Sequence, residues 1–149
     1  MMRRAISRKE LIMFYPMFAM VLLTLVVGVY LLSLRVRAVK RREVSIGYFR
    51  LYSGQTEPPA RLLAASNHFN NLFQIPLLFY ITCLMTLQTS LSGPLMQTLA
   101  WLFVASRVAH ALIHLTYNNV IHRMLAFWFG LLLVVAMWVV MFLHFSSAG

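Results

Sequence analysis

At 149 residues the chain has room for a handful of membrane spans of about 20 residues each, so one membrane domain over 1–149 is expected. Hydrophobic residues make up 61% and charged residues 11%, against about 25% charged in soluble domains, which points to an integral membrane protein. The net charge of +10 then reads as membrane-surface charge and not as a nucleic-acid footprint.

The N-terminus is basic, with Arg3, Arg4, Arg8 and Lys9, and is followed by 24 positions, 11–34, without Lys, Arg, Asp or Glu. This stretch is too long for the apolar core of a signal peptide and no A-x-A-like cleavage site follows, so it is read as a retained first span. The first loop, from Ser33 to Arg61, carries Arg35, Arg37, Lys40, Arg41, Arg42, Arg50 and Arg61. From Leu62 to Ser106 another 45 positions lack these charges, too many for one helix. The turn-forming residues from Gln88 to Pro94 divide them, which predicts spans at 62–88 and 95–117. Asn118 and Asn119 make a short break before a fourth span at 122–145. The fold class expected is therefore an all-α integral membrane protein built as a bundle of four transmembrane helices.

Positive-inside counting places the first loop and the Asn118–Arg123 turn on the cytoplasmic side, because the loop between spans two and three has no Lys or Arg. The four basic residues at the N-terminus oppose that orientation and are outnumbered by the seven of the first loop.

Span two opens with a polar stripe. Asn67, Asn70, Asn71 and Gln74 fall within about 100° on one side of a helix and offer neutral donors and acceptors. Pro76 removes a helical hydrogen bond and is expected to kink the span just past them. Span three carries Arg107, His110, His114 and Tyr117 within about 80° of one another. Arginine at the centre of a bilayer costs at least about 2.5–3.5 kcal/mol, so it needs compensation. The three acidic residues, Glu10, Glu43 and Glu57, all lie outside the apolar runs. Arg107 is left with backbone carbonyls, polar side chains or an anionic ligand as partners. The same lack of carboxylates argues against paired-carboxylate catalysis and hard-cation cages. His110 and His114 have a chelating spacing, but zinc needs further ligands and only His68 and His122 are spare, so no metal is expected. Cys83, the one cysteine, lies in an apolar run and reads as a small buried hydrophobe.

Ser106-Arg107-Val108-Ala109-His110, then His114-Leu115 and Arg123 sixteen positions after Arg107, resemble the third-span signature of the MAPEG family, the membrane-associated proteins of eicosanoid and glutathione metabolism. That signature is roughly R-x-x-H-x-x-x-Y-L with a further Arg. Asn71-x-x-Gln74 followed by Pro76 is similar to the family's N-x-x-E with a nearby proline, and Arg35 and Arg37 resemble its basic exit from helix one. The resemblance implies a homotrimer binding glutathione between subunits near the cytoplasmic leaflet, with Arg35, Arg37, Asn67, Asn71, Gln74, Arg107, His110, His114 and Tyr117 in the binding site. It implies Arg123 as the catalytic residue, stabilising the glutathione thiolate, since a nearby cation raises the reactive fraction of a thiol. The activity expected is that of a glutathione transferase or peroxidase on hydrophobic electrophiles or lipid hydroperoxides. The alternative is a non-catalytic member that binds a lipid or a partner protein. Three positions depart from the family pattern: Gln74 stands for Glu, Asn67 for Arg and His114 for Tyr. No retention motif is seen at the C-terminus, which favours a bacterial inner membrane.

Overall fold

The computed structural model describes residues 8–52, 57–89, 91 and 93–147. Arg3 and Arg4 of the basic N-terminus, and Ser90 and Ser92 of the expected break, lie outside them. Every described element is helical: α1 (Arg8–Lys40), α2 (Tyr48–Leu51), α3 (Ala60–Asn71), α4 (Ile75–Gln88), α5 (Pro94–Leu115) and α6 (Val120–Ser147). Helices α3 and α4 follow one another as a broken rod. Four segments are therefore long and apolar enough to cross a membrane: Ile12–Lys40, Ala60–Gln88, Pro94–Leu115 and Val120–Ser147. The shortest has 22 residues and reaches about 33 Å, enough for a hydrocarbon core of about 30 Å.

Helix α1 runs six residues beyond the apolar stretch that ends at Leu34. The hydrocarbon edge sets the end of the apolar run, but no Gly or Pro lies between Leu34 and Lys40 to stop the helix. Arg37 and Lys40 in its last turn also complement the helix dipole. Arg35 and Arg37 thus project from a helix and not from a loop. The chain reverses after Arg42, whose φ of 58° is left-handed.

The break in span two lies before Pro76, between Asn71 and Ile75, and not past the polar stripe. Proline has no N–H to give to Leu72 and its ring crowds that carbonyl, so the turn ahead of it cannot close as α-helix. It tightens instead into i→i−3 bonds: Phe73 N–H donates to the Asn70 carbonyl at 3.1 Å and Gln74 N–H to Asn71 at 3.3 Å. Gln74 consequently sits in the break, and the amide stripe is not one continuous helical face.

The helices pack most extensively as the α5–α6 pair, with α1 laid against α3, α4 and α5. Met20 and Val27 of α1, Phe79 and Cys83 of α4, Phe103 of α5 and Met137 of α6 share one buried cluster. Phe79 and Phe103 stack within it at 4.4 Å between ring centroids. Gly28 of α1 lets the Phe69 ring of α3 approach closely, since an added Cβ would stand 3.2 Å from it. A second cluster, with Leu31, Ala38, Val44, Leu62 and Ala65, joins the end of α1 to the start of α3.

Candidate functional site

Two polar regions emerge from this packing, one buried and one open. The buried region centres on α5, where Ser106, Arg107, His110 and His114 all face inward. Arg107 is only 1% exposed. Its Nη2 donates to the carbonyls of Ala126 at 3.1 Å and Phe127 at 2.9 Å, both on α6, and its Nε reaches Ser106 Oγ at 3.4 Å. The guanidinium lies 5.2 Å from the Phe103 ring centroid and 5.4 Å from that of Phe127, an arrangement in which ring faces add to its compensation. Of the three possible kinds of partner, the chain itself supplies carbonyls. Gly130, one turn along α6, is what admits the guanidinium: a Cβ there would lie 2.0 Å from Arg107 Nη2.

His68 enters the same region from α3 and is fully buried. Its ring centroid lies 5.2 Å from those of both His110 and His114, which are 5.6 Å apart. Neither ring nitrogen of His68, nor Nδ1 of His114, has a hydrogen-bond partner among the described residues. No three His, Cys, Asp or Glu side chains among the described residues are placed to hold a metal ion. In the sequence His68 stands out only as a spare metal ligand. A signal was there: Leu62, Ala65 and Leu72 recur at helical spacing, mark the inward face of the segment, and put His68 on it.

Because α3 turns His68 towards α5, its amides face away. Asn67, Asn70 and Gln74 are exposed and Asn71 is half-buried. Within one chain the amide stripe and Arg107 do not share a face. Asn67 and Asn70 instead line the open region, a cavity of about 360 Å³ between the end of α1, α2 and the start of α3. Arg35 lines it too, donating from Nη2 to the Tyr52 hydroxyl at 3.0 Å and lying 5.5 Å from the Phe49 ring centroid. Ser66 and Tyr48 complete the wall that matters for polar contacts. The aromatic residues of α2 were not singled out in the sequence, where the first loop stands out only for its charge. Arg37 lies on another side of α1, in a separate cavity with Arg41 and Arg61.

Tyr117 lies in the turn between α5 and α6, and Arg123 in the first turn of α6. The expected third span reached residue 117, but α5 ends at Leu115. Thr116 leaves helical geometry with ψ of −94°, and Asn118 is left-handed with φ of 47°. Tyr117 is therefore off the Arg107 stripe and 60% exposed, with its hydroxyl 3.0 Å from His122 Nδ1. Asn119 opens α6, its Oδ1 accepting from the N–H groups of Ile121 and His122 at 3.0 and 3.1 Å. Arg123 is half-buried in the first turn, and its Nη1 donates to Asn118 Oδ1 at 2.9 Å.

Four membrane-crossing segments around a buried arginine and histidines, beside an open arginine–amide cavity, define an integral membrane protein with a polar site in a helical bundle. The profile of the MAPEG family matches residues 13–143, from α1 through α6. The chain belongs to the MAPEG family. No curated protein and no solved structure matches it.

Proposed function

We propose that the protein is a glutathione-dependent membrane transferase or peroxidase acting on hydrophobic electrophiles or lipid hydroperoxides, with the tripeptide held in the cavity of Arg35, Asn67 and Asn70. The observation that carries this reading is the pre-set Arg35 fork. One of its donors is committed to Tyr52, while Nε has no partner among the described residues. A guanidinium fixed in this way suits a carboxylate, and the neighbouring amides suit peptide groups. The cavity of about 360 Å³ falls in the range of about 300–1,000 Å³ usual for small-molecule sites. A second groove, of about 210 Å³ and walled by Val21, Leu25, Leu72 and Phe73, runs beside the α3–α4 break and is apolar enough to take a hydrophobic co-substrate from the bilayer.

The uncovered amides of α3 support a homotrimer. Exposed Asn67, Asn70 and Gln74 are costly against lipid, and a neighbouring subunit can cover them. In this assembly the whole chain, 1–149, forms one membrane domain. Asn71, Gln74, Arg107, His110, His114 and Tyr117 then contribute at or behind the subunit boundary, whereas Arg37 lies in a different cavity and stays outside the tripeptide site. Arg123 keeps the glutathione sulfur as thiolate, its orientation set by Asn118. The first loop faces the cytoplasm, in a bacterial inner membrane.

A second reading rests on two specific observations. Arg107 is already engaged by α6 carbonyls, and Gln74 cannot pair an ammonium group as Glu would. Both favour a non-catalytic member that holds a lipid or a partner protein. Conjugation of glutathione to a chloro-dinitro-aromatic, measured with the ultraviolet thiolate band, separates the two. In the enzyme the sulfur–carbon bond forms as chloride leaves with the bonding pair, and Arg123→Ala lowers turnover more than affinity while Arg123→Lys retains part of it. Binding without thiolate or conjugation in the wild type rejects the enzyme in favour of the binder.

A further inference from the structure

A second cavity, separated from that of Arg35 by Leu62, which lines both, takes no part in the function proposed above. It has a volume of about 300 Å³ and is lined by the side chains of Arg37, Arg41 and Arg61 together with Glu43. The three arginines are exposed, and the one carboxylate is drawn towards Arg41, with Nη1 to Oε1 at 3.9 Å. The lining is therefore net cationic. Leu34 and Ala38 form its apolar side, and Ala38 is buried.

Depth decides what such a cavity meets. The apolar run of α1 ends at Leu34. At 1.5 Å per residue, Arg37 and Arg41 stand about 4–10 Å beyond that edge along the helix. The headgroup layer adds roughly 5–8 Å on each side of the hydrocarbon core, so Arg37 stands within it and Arg41 just past its outer margin, from where its long side chain can reach back. Arg61 comes to the same level because α3 starts there, at Ala60. The opening of α3 adds to the field, having no side-chain cap and no acidic residue in its first turn.

From this geometry we infer that the cavity of Arg37, Arg41 and Arg61 is a binding site for the phosphate of an anionic phospholipid. The guanidinium forks take the phosphate oxygens. The glycerol and the first acyl carbons lie along Leu34 and Ala38, on the side that continues into the hydrocarbon. A basic pocket between helix ends at the membrane surface fits an anionic headgroup better than a zwitterionic one, whose ammonium the same arginines repel. Glu43 weakens the site, so its removal should strengthen it.

The test uses the full-length protein purified in mild detergent and exposed to equal amounts of phosphatidylglycerol and phosphatidylcholine, with retained lipid counted by native mass spectrometry. The wild type should retain phosphatidylglycerol at least about fivefold more than phosphatidylcholine. Arg37→Gln/Arg61→Gln should bring the ratio near one, and Glu43→Gln should raise it above wild type. The last variant keeps the proposal exposed to failure even if the arginine double variant does not fold. Equal retention of the two lipids by the wild type overturns the inference, as does a Glu43→Gln ratio that is unchanged or lower. Inorganic phosphate that displaces phosphatidylglycerol at equal concentration would assign the site to a soluble anion and overturn the lipid.

Discussion

Replacing Gly130 by Ala tests how Arg107 is accommodated. In an ordinary helix interior the change stabilises by about 0.8–1.0 kcal/mol. Here the new methyl carbon would lie 2.0 Å from Arg107 Nη2, 2.6 Å from Ser106 Oγ and 2.7 Å from Arg107 Cζ. Non-bonded heavy atoms settle near 3.5 Å or more, so the guanidinium must move by roughly 1.5 Å. The same Nη2 makes both bonds to α6, at 3.1 and 2.9 Å, and that shift breaks them. A hydrogen bond to a charged group contributes about 1.5–3 kcal/mol, and stranding a buried charge costs about 3–5 kcal/mol. After the propensity gain, a net loss of about 2–4 kcal/mol remains. At about 2–4 °C per kcal/mol for a chain of this size, the apparent Tm should fall by roughly 5–15 °C. Thermal unfolding in detergent, followed by intrinsic fluorescence of the three tryptophans, measures this directly. In an Arg107→Ala background the same Gly130→Ala change should cost at most about 1 kcal/mol, because only the Ser106 hydroxyl remains in the way and it can rotate. A Gly130→Ala protein as stable as wild type would mean that Arg107 does not depend on the space at Gly130. So would an equal loss in both backgrounds.

Two further outcomes follow from the uncovered amides. Native mass spectrometry in mild detergent should show trimers, and monomers alone under the same conditions would remove the argument that a second subunit covers Asn67, Asn70 and Gln74. Gln74→Glu should tighten glutathione binding by about tenfold, or 1.4 kcal/mol, if an ammonium group of the ligand reaches the exposed side chain at the α3–α4 break. No change would place that amine elsewhere.

Hydropathy carries membrane segments well because a bilayer enforces apolar length, and all four expected spans correspond to helices here. It carries helix ends poorly. Helix α1 extends past Leu34 to Lys40 since arginines at the headgroup layer do not stop a helix, so Arg35 and Arg37 land on different sides of a rod. Pro76 announced a disturbance, but its steric effect acts backwards, on the turn of Leu72 and Gln74. The inward stripe of Arg107, His110 and His114 was legible from helical spacing alone. Tyr117 was not, because its place depends on a left-handed Asn118 that no periodicity records. The partner of Arg107 was beyond the sequence too: whether a buried guanidinium meets a ligand or carbonyls depends on a glycine 23 positions away, Gly130, which reads as one small residue in an apolar helix.

The proposed function rests on Arg35 as the anchor for a carboxylate of glutathione in the cavity it shares with Asn67 and Asn70. Isothermal calorimetry of glutathione with the purified protein in detergent, for wild type, Arg35→Gln and Arg37→Gln, tests it most directly. Binding to the wild type should be saturable, at least about tenfold weaker for Arg35→Gln, and of wild-type affinity for Arg37→Gln. Absence of binding heat with the wild type at millimolar glutathione, or an Arg35→Gln protein that binds as the wild type does, would contradict it.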